Sequence, residues 1–178
     1  MDDKHSSYSS VAKFLHWLIA IMVLCMLVFG FQLDKLPKLY AATAYMVHKS
    51  IGLTLLGLMI FRVSWIYFRG RPKLPATTPT WQIIAARTVQ YGLYVALIVM
   101  PISGWVLSMA ANHPPSYFGL FQVSLPIAPN SYLEQLMDKL HVLIAWFIIV
   151  LLGLHVSGAF KHYFIDKDRV VQSMLPGK

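Results

Sequence analysis

Four apolar runs, each long enough to cross a bilayer, divide this chain and leave little else of comparable length. The spans are expected at about residues 14–33, 45–68, 89–110 and 140–160. Crossing the hydrocarbon as a helix takes roughly 20 apolar residues. Backbone N–H and C=O groups find no water there, so each run must satisfy its own hydrogen bonds as a helix. The composition agrees: 57% of residues are hydrophobic and only 12% charged, whereas about 25% is charged in a soluble domain. The reading is an all-α, integral membrane four-helix bundle, with residues 1–178 as a single domain. The first run is too long for the apolar core of a signal peptide, and no small-residue cleavage site follows it. It is therefore expected to stay as a spanning helix.

Charge gives the orientation. Lys4, Lys13, Arg62, Arg69, Arg71, Lys73, Arg87, Lys161, Lys167, Arg169 and Lys178 fall on one side of the four spans; Lys35, Lys38, Lys49 and Lys139 fall on the other. Cytoplasmic loops carry the excess of Lys and Arg. Both termini are thus expected in the cytoplasm, in a multi-pass membrane protein. The net charge of +8 follows from this topology and needs no nucleic-acid partner; lipid is the expected surrounding. Trp17, Trp65, Trp105, Tyr45, Tyr67 and Tyr163 lie near span ends, where interfacial aromatics belong. In the third connection, His113-Pro114-Pro115 and Leu125-Pro126 interrupt helix. Asn130-Ser131 then reads as a cap opening a turn or two of surface helix before the fourth span.

Inside this apolar chain stand His16, His48, His141 and His155. An ionisable residue at membrane depth is costly and usually functional. His141 and His155 share the fourth span, fourteen residues apart, which is four turns and roughly 21 Å along one face. Under the expected topology His16 and His155 lie at one depth and His48 and His141 at the other. Two facing imidazoles suit haem iron, which takes axial nitrogens from opposite sides, and facing helices of a bundle supply such pairs. Zinc would want three or four ligands, and no Cys, Asp or Glu lies at these depths. The one cysteine, Cys25, excludes an internal disulfide, and the absence of C-x-x-C-H excludes thioether attachment. The residues therefore point to two non-covalent haems stacked across the membrane.

Other residues enter around that frame. Arg62, fourteen residues after His48, is placed to meet a haem carboxylate at the depth of His16 and His155, or to reach the interface with its guanidinium. Gly52 and Gly153 leave room beside the backbone. His162, just past the fourth span beside Lys161, reads either as an interfacial residue or as part of a substrate site. Lys49 reads as an interfacial anchor or as a partner for an outer haem carboxylate.

The matching segments Leu15-His16-Trp17-Leu18, Met46-Val47-His48 with Gly52 and Arg62, His141, Gly153-Leu154-His155, Lys161-His162-Tyr163-Phe164, Lys167-Asp168 and Met174-Leu175-Pro176 resemble the bacterial cytochrome b561 family. The likeness covers nearly the whole chain; the long third connection carries little of it. The resemblance implies two haem b groups with His16, His48, His141 and His155 as axial iron ligands, and electron exchange with ubiquinone. Quinone reduction needs protons, so under this resemblance His162 and Lys161 are the expected quinone or substrate site, with Arg87 a weaker candidate, and Lys49 and Lys139 are expected to draw in an anion such as superoxide. Some members of that family resemble superoxide oxidases; others serve as haem b relay and membrane-anchor subunits of dehydrogenases or hydrogenases.

Overall fold

The computed structural model describes residues 7–72 and 78–175. His5, Lys4, Lys73 and Lys178 lie outside the described residues. Four helices are long and apolar enough to cross a membrane: α1 (Ser10–Gly30), α2 (Lys38–Arg69), α3 (Thr80–Ala110) and α4 (Ser131–Phe160). Their ends follow from local chemistry. Ser9 caps α1, its hydroxyl accepting from the Ala12 N–H at 3.3 Å. Pro37 and Pro79 precede α2 and α3, where a residue without an N–H costs nothing. Gly70, at φ +76°, ends α2. The Asn130 side chain accepts from the Leu133 N–H at 2.9 Å and starts α4.

The helices run longer than the apolar runs alone. α2 begins seven residues before the expected Tyr45 and α3 nine before Val89, so Arg69 and Arg87 are helical rather than part of a loop. α1 stops at Gly30, short of the expected Leu33, and a 3-10 turn follows at Leu33–Lys35. The expected separate turn of surface helix after Asn130 is instead the start of α4. Nothing in Tyr132–Lys139 breaks a helix, so the segment continues into the span. Past Phe160 the chain enters a π-helical turn, Lys161–Asp166, closed by Lys167 in the left-handed region.

Successive helices pack side by side, α1 on α2, α2 on α3 and α3 on α4. Leu15, Ile19 and Val23 meet Leu55 and Met59, Leu93 and Ala96, and Ile144, Ile148 and Leu151. This core lies between the two histidine levels. Only 22% to 33% of each apolar window is buried within the bundle, so the outer faces require lipid. Association in lipid then rests on close packing more than on apolar transfer.

Both tails meet at one end. The Tyr8 N–H donates to the Ser173 carbonyl at 3.2 Å, and the Trp17 indole N–H donates to Met174 O at 3.0 Å. We call this the terminal face. At the opposite face the third connection forms a two-stranded hairpin, β1 (Ser116–Tyr117) antiparallel to β2 (Phe121–Gln122), which the proline-rich sequence did not foretell. Ser50, fully buried on α2, holds it down. The Ser50 hydroxyl accepts from the Phe118 N–H at 2.8 Å and faces Ser116 O at 3.2 Å. The Trp105 indole donates to Val123 O at 2.8 Å.

Candidate functional site

The bundle brings the four histidines together in two pairs. His16 of α1 faces His155 of α4 near the terminal face, with ring centroids 6.0 Å apart and planes at 69°. His48 of α2 faces His141 of α4 towards the opposite face, at 6.4 Å and 68°. A metal–imidazole bond is about 2 Å long. The ring centre lies about 1 Å behind its nitrogen, so two imidazoles gripping one metal from opposite sides have centres about 6 Å apart. Both pairs have that separation.

The outer pair opens on a cavity of about 910 Å³, lined by His48, His141, Gly30, Gly52 and Gly104 and walled by Val23, Leu27, Leu55, Met59, Leu97 and Ile148. Ligand pockets run to roughly 300–1,000 Å³ with mostly apolar walls. Two observations show that the residues fit a porphyrin held by imidazoles. First, Nδ1 of His48 is buried and without a hydrogen-bond partner among the described residues. Such a group calls for a partner from outside the protein's own side chains, a water, an ion or a cofactor. Second, Nδ1 of His141 has a hydrogen-bond partner behind the ring. The Ser103 hydroxyl lies 2.7 Å from Met100 O and 3.0 Å from Nδ1 of His141; with its proton on the carbonyl it accepts from Nδ1–H. Nε2 of neutral His141 then carries a lone pair, the arrangement a ligating histidine needs from its outer partner.

Glycine makes the room, at positions the sequence reading did not single out. A Cβ on Gly104 would lie 2.9 Å from Cε1 of His141, and one on Gly30 would lie 3.4 Å from Cε1 of His48. By contrast, Gly52 and Gly153 have nothing within 4 Å of an added Cβ; Gly52 borders the cavity. The available signal was Ser103-Gly104, a small polar pair inside the apolar third span, which contributes no histidine.

Arg62 is buried, 5% exposed, so it does not reach out to the interface. Its Nη1 donates to Ala12 O at 2.7 Å, one turn before His16. That places a cation at the level of the inner pair.

His162 and Lys161 are brought into a cluster with two carboxylates. Nδ1 of His162 lies 2.7 Å from Asp168 and 3.5 Å from Asp166. The Lys161 ammonium meets Asp166 at 2.6 Å. His162 is seven residues, about two turns, past His155. Arg87 lies apart from them on α3, donating to Gln90.

The mouth of the His48–His141 cavity departs from the expected cationic funnel. Lys49 lines the cavity, but its ammonium donates to His113 O at 2.9 Å. Asp34, Glu134 and Asp138 also line it. Of the seven acids in the chain, these three are the only ones outside the terminal segments. Because α4 begins at Ser131, its first turns bring Glu134 and Asp138 to the rim.

The family model for prokaryotic cytochrome b561 matches residues 7–177. This chain belongs to the prokaryotic cytochrome b561 family. It is 34% identical over 171 residues to cytochrome b561 homolog 2 of Escherichia coli K12, covering 94% of this chain and 90% of the relative. Cytochrome b561 homolog 1 of the same organism is 27% identical over 173 residues, covering 95% and 97%. The probable superoxide oxidase CybB of Yersinia pestis is 27% identical over 180 residues, covering 98% of each. Membership of a cytochrome b family, with four helices able to span a membrane, makes this a multi-pass membrane protein of b-type haem electron transfer.

Proposed function

We propose that the chain carries two haem b groups, one gripped by His16 and His155 and the other by His48 and His141, and passes electrons across the bacterial inner membrane to or from the quinone pool. The facing of two histidine pairs at a separation suited to one metal each carries this reading. Haem with both axial positions filled by imidazole supplies one-electron transfer without an open coordination site.

The protein's own residues do the rest. Ser103 fixes the tautomer of His141. Gly30 and Gly104 let the rings stand clear of the backbone. The hairpin clasped by Ser50 covers the outer side and limits water there. Arg62 offers a buried cation for a haem carboxylate at the inner level. With Asp168 on its Nδ1, His162 has Nε2 left to exchange protons. That suits a ubiquinone site at the terminal face, which the excess of Lys and Arg there would make cytoplasmic.

Two donors are considered. Superoxide follows from likeness to the Yersinia pestis relative. The alternative is a haem b relay and membrane anchor for a partner dehydrogenase or hydrogenase. The carboxylate rim favours the alternative, since Asp34, Glu134 and Asp138 repel an anion and attract a partner with a basic face.

The test is a visible spectrum with haem counted per chain. Wild type is expected to show sharp, dithionite-sensitive bands and two haems. His155→Ala is expected to lose one haem and keep the other. A colourless wild-type preparation from haem-replete cells, or an unchanged haem count in H155A, would refute the reading.

A further inference from the structure

The α2–α3 side of the terminal face holds positive charge that nothing in its own helices neutralises. From residue 35 to residue 133 the sequence has no Asp or Glu. The ion pairs found among the described residues all lie between residues 161 and 168. Arg71 and Arg87 instead converge on one neutral acceptor, the Gln90 side-chain oxygen, with Nη1 of each donating to it at 3.2 and 3.0 Å. Two guanidiniums sharing one amide oxygen repel each other, and an anion between them would reverse the sign. Arg71 also donates through Nη2 to the Tyr91 hydroxyl at 2.9 Å, and Gln90 Nε2 donates to the Tyr94 hydroxyl at 3.2 Å. Both phenol oxygens accept these bonds, so each keeps its own O–H to donate.

Beside this cluster a cavity of about 410 Å³ runs between α2 and α3. Its far walls are Val63, Ile66, Val95 and Ile98; Arg71, Tyr91 and Tyr94 stand at its polar end. Val95 is 62% exposed on the face turned to lipid.

We propose that this groove is a site for an anionic phospholipid, its phosphate held by Arg71 and Arg87 and its acyl chain lying along the apolar walls. Charge-assisted bonds from paired guanidiniums suit phosphate oxygens. Basic pockets between membrane helices at one leaflet take such headgroups. A zwitterionic headgroup would bring an ammonium towards two guanidiniums. A quinone is neutral and would leave them uncompensated. Free phosphate would leave the apolar walls unused. The inference does not depend on the haem assignment.

The full chain, exchanged into mixed micelles of phosphatidylglycerol and phosphatidylethanolamine, is examined by native mass spectrometry. Wild type is expected to retain one phosphatidylglycerol. R71Q/R87Q is expected to retain it at least tenfold less. Val95→Trp, which fills the groove without touching a charge, is expected to lose it as well and decides the matter if the arginine variant fails to fold. R69Q, whose guanidinium lies over the Trp65 ring at 5.3 Å, should behave as wild type. Equal retention by the groove variants, preference for phosphatidylethanolamine, or displacement of the lipid by added inorganic phosphate or ubiquinone would overturn the proposal.

Discussion

Under the proposed ligation, Gly104→Ala should loosen the haem between His48 and His141 and spare the one between His16 and His155. The added Cβ would lie 2.9 Å from Cε1 and 3.2 Å from Nδ1 of His141. Carbon atoms pack comfortably at roughly 3.5–4.0 Å, so the ring must retreat by about 0.6 Å or more. It cannot bend away as a flexible chain end would, because the imidazole is rigid and its Nδ1 is tied to Ser103, the residue before Gly104. Retreat from α3 therefore also stretches the 3.0 Å bond that sets the tautomer. Metal–ligand distances hold to about ±0.2 Å, and loss of a ligand's outer partner costs roughly 10–100-fold in affinity. That range corresponds to about 1.4–2.8 kcal/mol. Alanine is otherwise the better helix former by about 1 kcal/mol, so a general loss of folding is not expected. Gly92→Ala, in the same helix, is the control: its Cβ would meet only the methyl tips of Leu151, at 3.2 and 3.5 Å, which can turn aside. The assay is haem per chain after washing with an apo-haem acceptor, together with a potentiometric titration that resolves two components. G104A should fall towards one haem per chain while G92A keeps two. Two tightly held haems with unchanged potentials in G104A, or equal losses in both variants, would refute the assignment of His141 as a ligand positioned by α3.

Further predictions concern the rim and its cover. E134Q/D138N should slow reduction of the holoprotein by a cationic small donor such as hexaammineruthenium(II), roughly three- to tenfold at low salt, and speed reduction by an anionic donor. Both effects should fade as the screening length falls below about 10 Å above 0.1 M salt. Stopped-flow traces with the two donors check this, and a change of the same sign for both would remove the electrostatic argument. Ser50→Ala should leave the Phe118 N–H without its 2.8 Å acceptor, at a cost of about 1–3 kcal/mol. Hydrogen exchange should then rise in residues 113–123 before it rises in the four long helices; uniform exchange across the chain would show that Ser50 does not clasp the hairpin.

The parts of this molecule legible in the sequence were those with a long repeat. Twenty apolar residues in a row specify a spanning helix almost regardless of neighbours. The fourteen-residue steps from His141 to His155 and from His48 to Arg62 put side chains on one face through helix geometry alone. Helix ends were misjudged where polar residues continue a helix past the hydrocarbon, as at Lys38–Ala44 and Thr80–Thr88, because hydropathy records solvent and not backbone conformation. The hairpin at residues 116–122 was hidden for another reason. Its strands are two residues long and are held by Ser50, some 66 positions away in sequence. Gly104 and the acidic rim were missed because their meaning lies in what faces them across the bundle.

That last point bears on why α3 contributes no histidine yet shapes the outer site. α4 supplies both His141 and His155, so one continuous helix fixes the spacing of the two pairs at roughly 21 Å. α1 and α2 each add one partner. The remaining helix, α3, must then leave space, and around one turn it carries Met100, Pro101, Ser103 and Gly104. Pro101 has no N–H, so the Leu97 carbonyl lacks its helical partner, and Pro101 borders the cavity. Ser103, only 3% exposed, stands within hydrogen-bond reach of both Met100 O and Nδ1 of His141. Gly104 removes the side chain that would strike the same ring. A bulkier or better helix-forming turn here would pack more tightly and would close the space into which His141 projects. The sequence of α3 thus trades local helix stability for a fixed imidazole, and the trade is visible only once α4 is set against it.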